Sequence, residues 1–171
     1  LPAPDRLYGL IYEDLRALAR RQLARINAGH TLTPTVLVHE TYMKFSQRSA
    51  PAAVNRLHFL NIAARAMRDI AVDYVRRRRA QKRDVRLVEP LDGDVEDGGR
   101  RTLVDLLALD EALIELERLD ARQAKVIELR FFAGLEMTEI ATMLAISERS
   151  AKRDWQRARA FLGAWLSDCR S

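Results

Sequence analysis

Two helical patterns meet around a single turn in MTEIATMLAISERSAKRDWQRAR, residues 137–159. In the first pattern, apolar residues recur at the i, i+3, i+4, i+7 spacing that lines one side of a helix: Met137, Ile140, Ala141 and Leu144. The pattern then breaks, and the Ser147 hydroxyl can accept a hydrogen bond from the free backbone N–H groups of a following helical turn. The sequence therefore predicts a short helix, a tight turn, and a second helix that begins at Ser147.

The second of these helices has two contrasting sides. An apolar stripe predicts its buried side: Ala151, Trp155, Ala158, Leu162 and Trp165. The opposite side is polar and basic: Arg149, Lys152, Arg153, Gln156 and Arg157. This arrangement is typical of a helix-turn-helix, whose second helix can enter the major groove of DNA. An ordinary helical hairpin with a solvated charged face has the same pattern, so this stretch alone leaves both interpretations open.

The composition of the whole chain favours helices throughout. Only 7 glycines and 5 prolines occur in 171 residues, and 48% of the residues are hydrophobic, which is enough for packed cores. The net charge of +5 suits a polyanionic partner without proving one. The single cysteine, Cys169, excludes an intramolecular disulfide, and no apolar run approaches the roughly 20 residues that span a bilayer. We therefore expect an all-α, soluble, cytoplasmic protein without a membrane segment.

Helix signals divide the N-terminal half into three helices. The first is expected from Asp5 to about Ile26, and the second begins at Pro34 with Thr33 as its N-cap. A loop is expected over residues 47–55, and one long helix then runs to about Arg83. The end of that helix is strongly basic, because Arg76 to Arg79 follow one another.

A change of charge marks the boundary between the halves. Residues 84–105 are acidic and contain several glycines, which predicts a flexible linker between domains at 1–83 and 106–171. The C-terminal domain is expected to open with a helix over residues 103–119. Asp120 and Gln123, in capping-box spacing, then begin a helix that Gly134 ends. The expected fold is two small helical domains, the second a winged-helix-like bundle without the wing.

Three segments in this order resemble the sigma factors of the extracytoplasmic-function (ECF) group, within the sigma-70 family. LVHETYMKF is similar to the segment with which that family grips the clamp helices of the largest RNA polymerase subunit. FLNIAARAMRDIAVDYVRRRR is similar to the segment that melts and reads the minus-ten promoter element. LRFFAGLEMTEIATMLAISERSAKRDWQRARAFL is similar to the reader of the minus-thirty-five element. The resemblance covers nearly the whole chain and implies an alternative sigma factor.

The resemblance also implies roles for individual residues. Polymerase contacts are implied for Leu37, Val38, Glu40, Tyr42 and Lys44. Contacts to the non-template strand of the minus-ten element are implied for Arg68, Asp69, Asp73, Tyr74, Arg76 and Arg77, with residues 47–55 capturing a flipped base. Contacts to the minus-thirty-five element are implied for Ser147, Arg149, Ser150, Lys152, Arg153 and Arg157. The implied partners are core RNA polymerase, through its clamp helices and flap, and promoter DNA.

The chain departs from the family pattern at two places. Asp69 stands where many relatives carry Asn, and an acid there repels phosphate unless it accepts from a cytosine amine or pairs with Arg65 or Arg68. The polymerase-gripping helix usually begins with acids, whereas here it begins with Thr33, Pro34, Thr35 and Val36. Phosphorylation of Thr35, or else of Thr33, would restore negative charge at a helix N-terminus. Threonine is also simply a good cap.

Enzymatic activity is not expected. His30, His39 and His58 lie far apart in the sequence, and there is no glycine-rich phosphate loop, nucleophile elbow or Cys/His constellation. We expect no cofactor and no metal. Two other classes stay open: a two-domain helix-turn-helix regulator that binds DNA without joining polymerase, and a helical scaffold whose basic face binds an acidic protein. An anti-sigma factor or a Ser/Thr kinase as regulator, and the packing of the two domains in the free protein, are also open.

Overall fold

The computed structural model describes residues 4–24, 32–47, 55–84 and 97–168, and every regular element in these ranges is a helix. The helices are α1 (Pro4–Leu23), α2 (Pro34–Gln47), α3 (Arg56–Asp84), α4 (Asp97–Leu119), α5 (Ala121–Ile127), a π-helix (Glu128–Phe132), α6 (Met137–Leu144) and α7 (Glu148–Asp168). The all-α fold class is therefore confirmed. Within the described ranges, no helix combines the length and the apolar content that crossing a bilayer requires.

Side-chain caps set the beginnings of the helices in the N-terminal half. The Val36 N–H donates to Oγ1 of Thr33 at 3.3 Å, so α2 begins at Pro34 as expected. The His58 N–H donates to Oδ1 of Asn55 at 2.9 Å, and α3 then runs to Asp84. The expected loop ends at this cap, and its residues 48–54 lie outside the described part of the chain.

Helix α4 corrects the extent of the expected linker. It begins at Asp97, so residues 97–105 are helical rather than a flexible connection. Once a helix is nucleated, each added residue costs only its own propensity, and even a glycine adds only about 1 kcal/mol. The helix that the apolar pattern predicts from Leu103 therefore extends several residues further toward the N-terminus. The remainder of the linker, residues 85–96, lies outside the described residues.

The turn from α5 to α6 differs from the single helix expected there. Asp120 caps α5 by accepting from the N–H groups of Arg122 and Gln123, as its spacing indicated. The helix then widens into the π-helix, where the Ala133 N–H donates to the Glu128 carbonyl at 3.0 Å. Gly134 ends it with a φ of 72°, a left-handed conformation that glycine adopts without steric cost.

The helix, turn and helix expected over residues 137–159 are present as α6 and α7. Ala145 takes a left-handed φ of 53° between them. Ser147 caps α7 by accepting from the Ser150 N–H at 3.1 Å, as expected. The stripes that face the core contain five buried residues: Ile140, Ala141, Ala151, Ala158 and Leu162. Four more are partly buried and pack against the core: Met137, Leu144, Trp155 and Trp165.

The two helical groups contact each other directly. Helix α3 packs against α4 and the π-helix, and α1 also contacts the π-helix. The buried apolar residues of both groups form one contiguous cluster. On α1, Nη1 of Arg21 donates to the Ala133 carbonyl at 3.1 Å. The arrangement that the sequence left open is therefore a closed one.

Candidate nucleic-acid interface

Helix α7 presents a row of exposed arginines. Arg149, Arg153 and Arg157 follow one another at intervals of four residues, so they share one side of the helix. None of the three forms an ion pair with a residue in the described part of the chain. Lys152 is also exposed and pairs with Glu148 one turn earlier. This side of α7 can therefore offer cationic donors to phosphates or base edges without first breaking an internal contact.

The N-terminal end of α7 is held by two serines. The hydroxyls of Ser147 and Ser150 lie 2.9 Å apart and bond to each other, while Ser147 also accepts from the Ser150 backbone. Both belong to the set implied for DNA contact. Because their oxygens take part in the cap, the first turn of α7 has a fixed geometry. The position of the arginine row that follows is fixed with it.

A buried acid anchors α7 from its other side. The Asp154 side chain is only 1% exposed, and Arg122 of α5 donates to it from Nε at 2.7 Å and from Nη2 at 3.3 Å. The hydrogen bond to Asp154 raises the pKa of the Arg122 guanidinium above its usual value. This two-point contact fixes the rotation of α7. Sequence reasoning missed it, although an acid within the apolar stripe was a usable signal.

On α3, the residues implied for the minus-ten strand fall into two groups. Arg68 is buried and Arg76 is paired with an acid, both in contact with the C-terminal half. Asp73 and Arg77 are exposed, and Tyr74 is partly buried. The structure therefore does not assemble these side chains into one open surface.

Asp69 has a different partner from either arginine considered for it. Nζ of Lys44 on α2 lies 3.3 Å from its Oδ2. Arg68 points instead at acids of the C-terminal half. The acid is thereby neutralised by a residue of the neighbouring helix, which links α2 to the middle of α3.

The residues of α2 implied for polymerase contact also separate into two groups. Leu37 is 0% and Val38 is 5% exposed, so both belong to the core and cannot reach a partner while α2 stays packed. The other residues for which the resemblance implies polymerase contact, Glu40, Tyr42 and Lys44, lie outside the buried core. Tyr42 is 60% exposed, an unusual position for a large aromatic side chain.

Two further apolar side chains lie exposed on α2. Val36 is 40% and Met43 is 39% exposed, and they stand two turns apart on the same helix. Sequence reasoning did not select them, although apolar residues outside a helical stripe were a usable signal. Among the described residues, no group of three or more His, Cys, Asp or Glu side chains is placed to hold a metal ion.

Comparison with known families assigns the chain. The family model described as ECF sigma factor matches residues 2–168, nearly the whole chain. The chain belongs to the ECF sigma factor family. Comparisons with curated proteins and with solved structures gave no match. As an ECF sigma factor, the protein acts in promoter-directed transcription, with core RNA polymerase and promoter DNA as its partners.

Proposed function

We propose that this sigma factor anchors core RNA polymerase to the minus-thirty-five element with α7 and holds the melted minus-ten strand with α3. The observation that carries the proposal is the exposed row of Arg149, Arg153 and Arg157 on a helix fixed by a cap and by Asp154. An arginine guanidinium can donate two hydrogen bonds to a guanine edge. An anchored helix holds its arginines in a fixed position relative to the DNA.

The polymerase contact is assigned to the exposed side of α2. Val36, Tyr42 and Met43 supply apolar area, and Glu40 supplies a charge beside them. Interfaces typically place aromatic and methionine side chains at their centre and charges at their rim. Leu37 and Val38 support this surface from the core side.

In-vitro transcription with purified core polymerase and a library of promoter fragments tests the proposal. We expect transcripts from a selected set of promoters that share two conserved elements, and we expect Arg153→Ala to abolish selection of the upstream element only. Arg118→Ala, at an exposed arginine of α4, is the matched control for side-chain removal. Specific DNA binding without polymerase-dependent transcripts would favour the regulator. Binding that is insensitive to salt would favour the scaffold, because phosphate contacts release counterions.

We also propose that phosphorylation of Thr35 strengthens the polymerase contact. The first turn of α2 contains no acid, and Thr35 is exposed there. The oxygen of Thr33 already accepts the capping bond, which makes Thr35 the better acceptor site of the two. A phosphate adds about two negative charges at a helix N-terminus, where the helix dipole stabilises them.

Polymerase binding by three forms of the chain tests this second proposal: unmodified, Thr35→Ala and Thr35→Glu, each with and without a cognate Ser/Thr kinase. We expect kinase treatment to tighten binding of the unmodified chain, Thr35→Glu to mimic part of that gain, and Thr35→Ala to abolish it. Thr33→Ala serves as the control that loses the cap and keeps the phosphorylation site. Equal binding and transcription by all forms contradicts the proposal.

A further inference from the structure

Glu148 is an acid on the helix that we assign to duplex DNA. It is the first residue of α7, directly after the Ser147 cap, and its side chain is 44% exposed. The other two acids of α7 lie elsewhere, because Asp154 is buried and Asp168 ends the helix. In a helix-turn-helix, the N-terminal residues of the second helix contact the base edges. A carboxylate therefore lies where α7 would meet the bases.

Glu148 begins a row that runs beside the arginine row. Lys152 and Gln156 follow it at intervals of four residues, and all three side chains are exposed. Each of them directly precedes an arginine in the sequence: Arg149, Arg153 and Arg157. Consecutive residues are about 100° apart on a helix, so the two rows lie side by side. This row changes from an acid to a cation to an amide, which suits discrimination between bases more than attraction to phosphates.

Glu148 and Lys152 form an ion pair across one helical turn. The Lys152 side chain is 59% exposed, so water surrounds both partners and the pair adds little to the stability of the fold. An acid in the first turn also interacts favourably with the helix dipole. Both effects leave a carboxylate and an ammonium group side by side on the solvent face. Near DNA, the carboxylate repels phosphates and is stabilised only where a base supplies a donor.

A C·G base pair offers the groups that this ion pair can bind. In the major groove, cytosine presents its N4 amine as a donor, and the guanine paired with it presents the O6 and N7 acceptors. A carboxylate accepts from the amine, and a lysine ammonium donates to the guanine. Guanine and thymine present acceptors in place of the amine, and adenine adds an acceptor beside its amine, so a carboxylate disfavours all three. The two charges are adjacent on α7, as the two groups are adjacent in the base pair.

We propose that the ion pair between Glu148 and Lys152 reads one C·G base pair in the upstream element, with Glu148 as a specificity-determining residue. This inference rests on the proposed function, because it assigns a base preference to the same helix. On binding, the contact between the two side chains is exchanged for contacts to the cytosine amine and to the guanine. The arginine row beside them attracts the DNA, and Glu148 disfavours the wrong base.

Selection of promoter fragments by the chain bound to core polymerase tests the base preference. Four chains are compared: the original, Glu148→Gln, Glu148→Ala and Asp168→Asn. We expect the original chain to select C·G at one upstream position, and Glu148→Gln to accept adenine there, because a glutamine amide matches the donor and the acceptor of adenine. Glu148→Ala should lose the preference at this position alone. Asp168→Asn removes the same charge at the far end of α7 and should select the original element.

Binding of the same complexes to two duplexes that differ at this base pair gives the size of the effect. We expect the original chain to prefer C·G over T·A by about tenfold, the value of a good side-chain contact to a base, and Glu148→Ala to show almost no preference. If Glu148 serves only the first turn of α7, its substitutions instead tighten binding to both duplexes by the same factor, since they remove repulsion from phosphates. That result, or selection of an unchanged element by Glu148→Ala, overturns the proposal.

A chemical change in the DNA keeps the proposal testable if the variants do not fold. Pyrimidin-2-one, which lacks the N4 amine, replaces the cytosine of the selected base pair. We expect the original chain with core polymerase to bind this duplex about tenfold more weakly, whereas the same replacement at a cytosine outside the element should have no effect. Equal binding with and without the amine overturns the proposal.

The selection also separates failure of this inference from failure of the proposed function. If the original chain selects no shared upstream element and supports no promoter-specific transcription, the proposed function is wrong. If it selects an element in which no base preference depends on Glu148, the proposed function stands and the reading by the ion pair is wrong.

Discussion

Helices α3 and α7 both carry rows of arginines, yet the two rows have different surroundings. On α7, Arg149, Arg153 and Arg157 face solvent, and a buried ion pair holds the helix from behind. On α3, Arg68 is itself buried, and acids from the other half of the chain surround it. Similar sequence patterns therefore have different outcomes. The arginine row of α7 is available to DNA, whereas Arg68 of α3 is already paired with acids.

The difference follows from what lies opposite each helix. The core side of α7 meets α4, α5 and α6, and its charged side meets none of the described elements. Helix α3 is flanked by α1 and α2 and by the C-terminal half as well, so more of its circumference is covered. A charged face is open only where the topology leaves it without a neighbour.

The largest expected effect comes from releasing α7 from its anchor. Arg122→Leu leaves the buried carboxylate of Asp154 without its cationic partner, which strongly disfavours the packed position of α7. We expect the melting temperature to fall by on the order of 10 °C and the exposed arginine row to lose its register. Thermal unfolding followed by circular dichroism measures this. Arg118→Leu, which breaks an exposed pair with Glu115, should leave the melting temperature nearly unchanged.

The next effect sharpens the contrast between the two rows. Arg153→Ala is expected to weaken binding of the free chain to a minus-thirty-five duplex by about tenfold to a hundredfold, the value of a good arginine contact to a base. Arg68→Ala should leave this duplex binding unchanged, because Arg68 is turned toward Asp110 and Glu128. Fluorescence anisotropy at fixed salt measures both. Comparable losses for the two variants would contradict the assignment of duplex binding to the arginine row of α7.

Local sequence signals predicted the features that local chemistry determines. The caps at Thr33, Asp120 and Ser147 and the end of α3 near Arg83 depend on residues a few positions apart. The ion pair between Arg68 and Glu128 joins residues sixty positions apart in the sequence, and no spacing rule connects them. The burial of Leu37 and Val38 likewise follows from packing that a single sequence does not display.

A smaller effect is expected at the contact between α1 and the π-helix. Gly134→Ala places a side chain at a φ of 72° and displaces the Arg21 guanidinium. The left-handed conformation alone costs about 1 to 2 kcal/mol for a residue with a Cβ. Urea unfolding measures the loss of stability. Gly163→Ala, in the open on α7, provides the control and should be neutral or slightly stabilising, because alanine favours helix. Equal results for both substitutions would contradict the described packing.

The smallest effect concerns an ion pair that lies inside the N-terminal half. Arg56 donates twice to Asp14, and this hydrogen bonding lowers the pKa of the Asp14 carboxyl. The pair therefore adds stability above the unfolded pKa of about 3.9, and that stability is lost as the pH falls through the lower folded value. Because the pair is exposed, Asp14→Asn should cost no more than about 0.5 kcal/mol at pH 7. Unfolding at pH 7 and pH 3 should show a smaller difference at pH 3 than at pH 7.

Arginine-specific labelling of the free chain tests most directly whether α3 is closed while α7 is open. A dicarbonyl reagent modifies guanidinium groups that water can reach, and mass spectrometry follows each site separately. Our account expects Arg153 on α7 and Arg77 on α3 to react readily and Arg68 to react far more slowly. Equal rates at Arg68 and Arg77 in the free chain would contradict it.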